Sequence, residues 1–508
     1  MSDSTATVSI SLVSHTNVGK TTLARTLLGR DIGTVRDQAH VTELAEPHTL
    51  VDTPEGDRLL LWDTPGFGDS LRLAQRLAQA GNPLGWLLTE VWDRWRDRPF
   101  WASQRAIRHV LGAADVALYL VNAAEQPEDA GYLAAELQVL GLLGKPVVVL
   151  LNQLGPPGSA AAEAQQLQLW RAHLATLVAR PGSARLQAVL PLDAFARCWV
   201  QEGVLLQAVA AALPAGRQPA MQRLGAAWAA RQHTVWRQAM ALLASGLARA
   251  AADREALPDA GWRAPLQRLA AGLGQALGLA PGADADPQAR AMAALATRLD
   301  ADIRRGTDAL IQLHGLGGQA SGEVLDQLAR HFARRMPVDE GRAALWGGAV
   351  AGALAGLKAD IATGGLTLGG GLLAGGVLGA LGAAGAARGV NRLRGLQAPL
   401  LAWDDTVLDS LLRAALLGYL AVAHHGRGRG DWQPAEPPPA WGDAVDAALA
   451  DRRPAVQALW QQRAGWLADA PAASELDRWQ TTAAALLAES SAEVLGRLYP
   501  EAACVAGL

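Results

Sequence analysis

The segment that most constrains the fold is SHTNVGKTT at residues 14–22, which directly follows the apolar run VSISLV. In the pattern GxxxxGK[ST], backbone N–H groups wrap phosphate oxygens, the lysine reaches the terminal phosphates and the next hydroxyl holds magnesium. Gly19, Lys20 and Thr21 match this pattern, and Thr22 lies at the start of a helix whose dipole favours anions. A strand, a phosphate-binding loop and a helix in this order predict an α/β P-loop domain.

The first position of the loop departs from the pattern, because Ser14 stands where a glycine is usual. A side chain there predicts some backbone strain or a modified path of the loop. The rest of the loop, which includes Asn17 and Val18, is still predicted to bind the phosphates of a nucleotide.

Two further elements complete the predicted phosphate and magnesium site. Asp63 and Gly66 belong to DTPG at the end of an apolar strand, where the carboxylate can reach Mg²⁺ and the glycine N–H the γ-phosphate. Thr42 lies in the polar loop VRDQAHVTE, from which it can close over the metal. We therefore predict Lys20, Thr42 and Gly66 as catalytic residues. The predicted Mg²⁺ ligands are Thr21, Thr42 and Asp63.

Short apolar runs after this site predict the remaining strands. HTLVDT and RLLLWDT flank the turn residues 54–57, which is typical of a hairpin. DVALYLV, KPVVVLLN and LQAVLPL are separated by helical stretches, which is typical of parallel central strands. The pattern predicts a doubly wound, mostly parallel sheet that ends near residue 200.

These motifs resemble those of the TrmE–Era–EngA branch of GTPases. The resemblance implies that Lys20 and Thr21 bind phosphate and magnesium, that Thr42 belongs to switch I, and that Asp63 and Gly66 open switch II. It therefore implies GTP and GDP as ligands and GTP hydrolysis as the reaction.

Two positions set this chain apart from Ras-like GTPases. Phe67 stands where those enzymes carry a glutamine, so another group would orient the attacking water. Asn17 occupies the loop position at which potassium-stimulated members of the branch hold a monovalent cation, and K⁺ there would supply positive charge. The alternative is that Asn17 only bonds the backbone of the loop.

The base-recognition motif NKxD is degraded, because it falls on NQLG at residues 152–155. Asn152 is retained and is predicted to contact the nucleotide, but Gly155 replaces the aspartate that accepts both guanine N–H groups. Asp193, in the segment LPLDAF, could substitute as a nucleotide-binding residue; it could equally be an ordinary loop aspartate. Guanine specificity therefore rests on the resemblance.

Beyond residue 200 strand-like runs disappear, and Ala, Leu, Arg and Gln recur at helical spacing. The predicted helical stretches are 203–252, 262–279, 286–335, 397–423, 442–468 and 473–506. Pro214-Ala215-Gly216 and Pro281-Gly282 interrupt them, and the segment 424–442 is a Gly/Pro-rich loop. We predict a tail at 1–7, a P-loop domain at 8–200 and a large all-α domain at 201–508.

An insertion at 71–110 follows switch II and alternates tryptophans with arginines and aspartates. Its tryptophans are Trp86, Trp92, Trp95 and Trp101. The segment is either a surface that senses the nucleotide state or a helix with aromatic core anchors and a solvated charged face.

A glycine-rich segment at 343–395 predicts a helical hairpin, because its glycines recur every four residues and allow close helix packing. Residues 361–387 carry no charge and are long enough to cross a bilayer. The alternatives are membrane contact and a tightly packed soluble hairpin.

Composition limits the compartment and the partners. A net charge of −3 without a basic stripe predicts no nucleic-acid partner. The two cysteines, Cys198 and Cys504, match no metal or redox spacing, and no secretory signal opens the chain. We expect a cytoplasmic protein that associates with the inner membrane if the glycine-rich segment inserts.

Over its full length the chain resembles a family of bacterial proteins that fuse an Era/TrmE-type GTPase to a large C-terminal domain of unknown function. Three hypotheses follow. The first is a slow GTPase switch coupled to a helical domain that acts on the inner-membrane surface or on a membrane-protein partner. The second is a dynamin-like, membrane-active protein that forms homo-oligomers. The third is a nucleotide-binding scaffold with negligible turnover.

Overall fold

The computed structural model describes most of both halves of the chain. The described residues are 5–32, 46–79, 85, 98–155, 160–196, 198–256, 287–317, 400–403, 405–430, 432, 437–467 and 469–502. The predictions for Thr42, for three of the four insertion tryptophans and for the glycine-rich segment 343–395 lie outside these residues. The predicted helix 262–279, the breaker Pro281-Gly282 and Cys504 also lie outside them.

A six-stranded sheet with helices on both faces forms the N-terminal half. Its elements are β1 (Thr7–Ser14), α1 (Lys20–Leu28), β2 (Glu46–Asp52), β3 (Arg58–Asp63), α2 (Ser70–Gln79), α3 (Arg98–Ala113), β4 (Val116–Asn122), α4 (Leu133–Leu142), β5 (Pro146–Asn152), α5 (Ala160–Val178), β6 (Arg185–Pro191) and α6 (Trp199–Ala212). The strand order is β2-β3-β1-β4-β5-β6, and only β2 runs antiparallel to its neighbour. The predicted mostly parallel sheet and the hairpin are confirmed.

Strand composition explains this order. β4 (VALYLVN) and β5 (PVVVLLN) are buried almost throughout, as strands covered by helices on both faces must be. β2 (EPHTLVD) is more polar and half exposed, which suits an edge strand. The carboxyl ends of β1, β3 and β5 meet at one edge of the sheet, where the loops after them form the candidate site.

The C-terminal half is helical, as predicted. Its elements are α7 (Gln218–Ala252), β7 (Arg254–Ala256), α8 (Pro287–Leu313), β8 (Leu400–Ala402), α9 (Asp405–Ala423), a 3-10 turn (Arg427–Arg429), α10 (Pro439–Asp451), α11 (Arg453–Gln462), a second 3-10 turn (Ala464–Leu467) and α12 (Ala473–Leu498). The sequence did not predict β7 and β8, which form a short antiparallel ribbon. The predicted helix 397–423 is therefore wrong at residues 400–402, and α9 begins only at Asp405. Each has three residues, too few for a period-two pattern to stand out.

The two halves share a buried hydrophobic core. One cluster runs from the sheet face beneath α1 and α6 through α7 into α9 and α12, and it includes Leu59, Leu206, Trp228 and Tyr419. The second cluster lies on the other face of the sheet, where α2 and α3 from the insertion pack beside α4. The described helices of the insertion therefore contribute to the core, and both interpretations of its tryptophan segment stay open.

Among the described helices, α9 alone is long and apolar enough to cross a bilayer by length and composition. Its leucines Leu408, Leu412 and Leu416 are buried against neighbouring helices, and Arg413 forms an ion pair with Asp446 of α10. These contacts are those of a core helix.

Candidate functional site

The phosphate-binding loop connects β1 to α1 along the path that its sequence predicts. α1 begins at Lys20 without a side-chain cap and without an acidic residue in its first turn, so its N-terminus presents positive dipole charge. Asn17 and Gly19 have φ angles of 65° and 92°. A β-carbon at Gly19 would lie 2.9 Å from the Asn152 amide nitrogen, so only glycine fits this close approach.

The strain predicted for Ser14 is absent. Ser14 is the last residue of β1, and among the described non-glycine residues only Asn17 and Gln153 have positive φ. The Ser14 hydroxyl accepts a hydrogen bond from Lys20 Nζ at 2.8 Å. Of the two predicted outcomes only the strain is ruled out, since the left-handed backbone of the loop lies at Asn17 and Gly19.

Lys20 lies at the centre of the site. Its ammonium group is buried, and it also donates to the His15 carbonyl oxygen at 3.3 Å. Burial lowers the pKa of Lys20 to about 8, against the opposing attraction of Asp63 and Glu136. A β-carbon at Gly66 would lie 2.9 Å from Lys20 Nζ, so the glycine leaves the space that the ammonium group occupies.

Thr21 and Asp63 form the candidate magnesium site. The Thr21 hydroxyl donates to Asp63 Oδ2 at 2.6 Å, and burial raises the pKa of the Asp63 carboxyl. Asp63 Oδ1 is buried without a hydrogen-bond partner among the described residues. A buried carboxylate oxygen that lacks a donor, beside a hydroxyl, fits a Mg²⁺ ion held directly or through water. The third predicted ligand, Thr42, lies outside the described residues.

Phe67 joins the start of switch II to the phosphate-binding loop. Its N–H donates to the Ser14 carbonyl at 2.8 Å, and its own carbonyl accepts from Thr16 N–H at 3.2 Å. The Phe67 ring is buried in the second core cluster. It therefore anchors the segment and cannot orient water as a glutamine would.

A buried carboxylate behind the loop is a feature that the sequence analysis missed. Glu136 of α4 is fully buried; it accepts from the Tyr119 hydroxyl at 2.7 Å and lies 2.8 Å from His15 Nδ1. The His15 ring stacks on Tyr132 with a centroid separation of 4.6 Å. A glutamate within the apolar segment YLAAELQVL was the one local signal for this contact.

Three loops meet where the nucleotide base is expected. The Asn152 side chain donates to the Val18 carbonyl at 2.7 Å and accepts from the Ala194 N–H at 2.8 Å. It thereby ties the phosphate-binding loop to the loop 193–196, which we call the base-side loop. Gln153 has a φ of 61° and Gly155 a φ of 83°, and a β-carbon at Gly155 would meet none of the described residues within 4 Å.

Asp193 braces these loops. Its two carboxylate oxygens accept backbone N–H groups, one from Leu154 at 2.7 Å and the other from Phe195 at 2.8 Å. The side chain is buried. The geometry gives Asp193 the bracing role of an ordinary loop aspartate. Each carboxylate oxygen keeps a second lone pair, so the substitute base reader stays an open alternative.

Two protein families match the chain. Residues 9–153 match the 50S ribosome-binding GTPase family, and residues 326–489 match a domain of unknown function, DUF3482. The chain thus carries a GTP-binding P-loop GTPase domain followed by an uncharacterised domain, as the resemblance implied. No curated protein matches the chain.

The solved structures that match part of the chain include two of Era. Era in complex with MgGDPNP and nucleotides of 16S ribosomal RNA is 20% identical with a TM-score of 0.30, and the match covers 42% of this chain and 58% of that chain. Era of Aquifex aeolicus bound to GDP and AlF4⁻ is 21% identical with a TM-score of 0.30, covering 41% and 57%. A dimerization-deficient Toc33 mutant from Arabidopsis thaliana is 18% identical with a TM-score of 0.24, covering 38% and 72%. The chain therefore spans less than two thirds of both Era chains.

Proposed function

We propose that this protein is a magnesium-dependent GTP-binding switch that hydrolyses GTP slowly and transmits its nucleotide state to the C-terminal helical domain. The observation that carries the proposal is the convergence of Lys20, Thr21, Asp63 and Gly66 at the uncapped start of α1. A buried ammonium group, a carboxylate oxygen with no donor among the described residues and a glycine at close approach are the parts that a γ-phosphate site needs.

The chain's own residues account for most of the proposed chemistry. Lys20 would leave Ser14 and bind the terminal phosphates, while the Gly66 N–H would contact the γ-phosphate and draw in switch II. Thr21 and Asp63 would hold Mg²⁺, which neutralises the charge that develops on the phosphates. Phe67 offers no polar atom to water from its side chain. Turnover would accordingly be slow unless K⁺ at Asn17 supplies positive charge.

Phosphate release tests the enzymatic part. We expect GTP hydrolysis by the wild-type protein that disappears in Lys20→Ala and is faster in K⁺ than in Na⁺. Asn17→Ala should abolish the difference between the two cations. Release that is the same in Lys20→Ala would contradict the proposal and favour a nucleotide-binding scaffold.

The affinities of the protein for GTP, GDP, ATP and ADP test its specificity for guanine. We expect GTP and GDP to bind more tightly than ATP and ADP, although Gly155 cannot accept the guanine N–H groups. Equal affinities for the two bases would leave phosphate binding intact and remove the guanine part of the proposal.

Membrane association is a separate part of the proposal, and it rests on the uncharged run 361–387. We expect the full chain to co-sediment with liposomes and a variant that lacks 343–390 to stay in the supernatant. Identical behaviour of the two proteins would remove membrane association. GTP-dependent activation that rises with protein concentration would favour the dynamin-like alternative.

A further inference from the structure

The turn that follows α9, residues 424–430, leaves the helical domain and packs on the GTPase domain; we call it the docking turn. Gly426 N–H donates to the Phe195 carbonyl at 3.3 Å. A β-carbon at Gly426 would lie 2.1 Å from the Ala194 carbonyl oxygen. The docking turn therefore lies in direct backbone contact with the base-side loop, and only glycine permits it.

The next residue of the turn contacts the last turn of α1. Arg427 Nη2 donates to the Gly29 carbonyl at 2.6 Å and also contacts the Gly315 carbonyl after α8. Its Nη1 lies 3.5 Å from Asp31 Oδ1. A guanidinium is well suited to this place, because a helix C-terminus presents carbonyl groups and negative dipole charge.

Thr26 of α1 connects these two contacts. Its buried hydroxyl accepts from the Arg427 backbone N–H at 3.1 Å and donates to the Ala194 carbonyl at 3.0 Å. The docking turn, the end of α1 and the base-side loop thus form one hydrogen-bonded unit. α1 carries the phosphate site at its other end, and the base-side loop holds Asn152.

We infer that Arg427 and Gly426 are positioning residues for nucleotide binding, so that the C-terminal domain sets how long guanine nucleotide is held. This inference rests on the proposed GTP-binding function. Gly155 supplies no carboxylate to the base. Retention of the base would therefore depend on the backbone of the base-side loop. The docking turn holds that backbone in place. By linkage, bound nucleotide must in turn stabilise the docking turn.

Dissociation of fluorescent GDP from full-length protein, chased with excess GDP in a stopped-flow instrument, tests the inference. Arg427→Ala should release GDP at least about fivefold faster, the lower end of ordinary coupling between sites. Its association rate should change less than its dissociation rate. The matched control is Arg429→Ala, which removes an exposed arginine from the same turn and should leave both rates at the wild-type value.

Two further measurements keep the inference testable if Arg427→Ala folds poorly. Thr26→Val removes the connecting hydroxyl from inside α1 and should also speed GDP release. In the wild-type protein, GDP should slow hydrogen exchange in peptides that cover 424–430. Wild-type rates in both variants, with Lys20-dependent GDP binding intact, would overturn the inference and leave the proposed function standing. Absence of any Lys20-dependent binding would overturn both.

Discussion

At the residue scale, the site is organised by close approaches to Lys20. The ammonium group is held by Ser14 and lies against Gly66, while Asp63 and Glu136 supply the nearby negative charge. The sequence separates these residues. The parallel strands β1 and β3 bring Ser14, Asp63 and Gly66 to the same edge of the sheet, and α4 supplies Glu136.

Gly66→Ala tests the space that the glycine leaves. Its added methyl group would lie 2.9 Å from Lys20 Nζ and 3.1 Å from Thr16 Cα, so either switch II or the lysine must move. We expect about a hundredfold loss of GTP hydrolysis, the lower end of the effect of losing one transition-state donor, because the shift displaces the Gly66 N–H; the effect on GDP affinity should be smaller. The control is Gly112→Ala in α3, where an added β-carbon meets nothing within 4 Å. Equal hydrolysis in both variants would contradict the role of Gly66.

His424 predicts a pH dependence of stability. Burial lowers the pKa of His424 to about 4. Its Nδ1–H donates to the Leu420 carbonyl at 2.7 Å, and the centroids of the His424 and Trp441 rings lie 4.6 Å apart. Because the unfolded state has the ordinary pKa of 6.5, protonation favours unfolding. This contribution to stability is complete above pH 6.5 and is lost as the pH falls towards 4.

The loss of unfolding free energy should reach about 3 kcal/mol, because the pKa of His424 falls from 6.5 to about 4 on folding and one pKa unit corresponds to roughly 1.4 kcal/mol. Denaturant unfolding of the wild-type protein and of His424→Leu between pH 7 and pH 4 measures it. The wild-type protein should lose more stability than the variant across this range. Parallel curves for the two proteins would show that His424 does not titrate as proposed.

At the element scale, α7 joins the helical domain to the GTPase domain. Its Arg223 donates to Asp57 Oδ2 at 2.6 Å, and Asp57 Oδ1 accepts from the Ala6 N–H at 2.9 Å. Asp57 ends the turn of the β2–β3 hairpin and is fully buried. The hydrogen bond from Arg223 lowers the pKa of this carboxyl. One ion pair thus fixes the helix against the hairpin that leads into switch II.

Arg223→Ala should destabilise the protein by about 1–3 kcal/mol, because it leaves a buried carboxylate short of a donor. Arg237→Ala is the control. Arg237 lies on the same helix, and its Nε donates to the His233 carbonyl of that helix in an exposed hydrogen bond. Thermal or denaturant unfolding measures both. A double variant with Asp57→Ala should recover part of the loss, and strictly additive losses would show that the pair is not coupled.

At the scale of the whole molecule, a shared hydrophobic core joins the two domains. The first hydrophobic cluster is continuous from β3 to α12, and Trp199 of α6 donates to the Tyr419 hydroxyl of α9 at 3.2 Å. Neither domain could separate without exposing this apolar surface to water. The docking turn adds a polar contact between them at the nucleotide site.

We expect one cooperative unfolding transition in which both domains melt together. GDP should raise the midpoint temperature of this single transition. Scanning calorimetry, with far-UV circular dichroism and tryptophan fluorescence as independent probes, measures this. A separate C-terminal transition that GDP does not shift would contradict a shared core.

Much of the architecture follows from local pattern. The apolar runs, the phosphate-binding loop and the turn at 54–57 specify strands, a helix and a hairpin over short stretches of chain, so the doubly wound fold was predictable. The breaker Pro214-Ala215-Gly216 likewise separates α6 from α7. The two short strands β7 and β8 were not predictable, because their pairing joins segments far apart in the chain.

By itself, the sequence determined the elements around the proposed phosphate site: Gly19, Lys20, Thr21 and Asp63 lie in motifs whose spacing alone predicts magnesium-dependent nucleotide binding. Only the tertiary structure decided how that site is supported. Glu136 lies 121 residues from His15, and Arg427 lies 401 residues from Thr26. Such contacts depend on how helices pack on the sheet, and no local periodicity encodes them. The tertiary structure also gave both carboxylate oxygens of Asp193 backbone donors, because loops from different parts of the chain meet there. It placed Ser14 at the end of β1 and the left-handed backbone at Asn17 and Gly19.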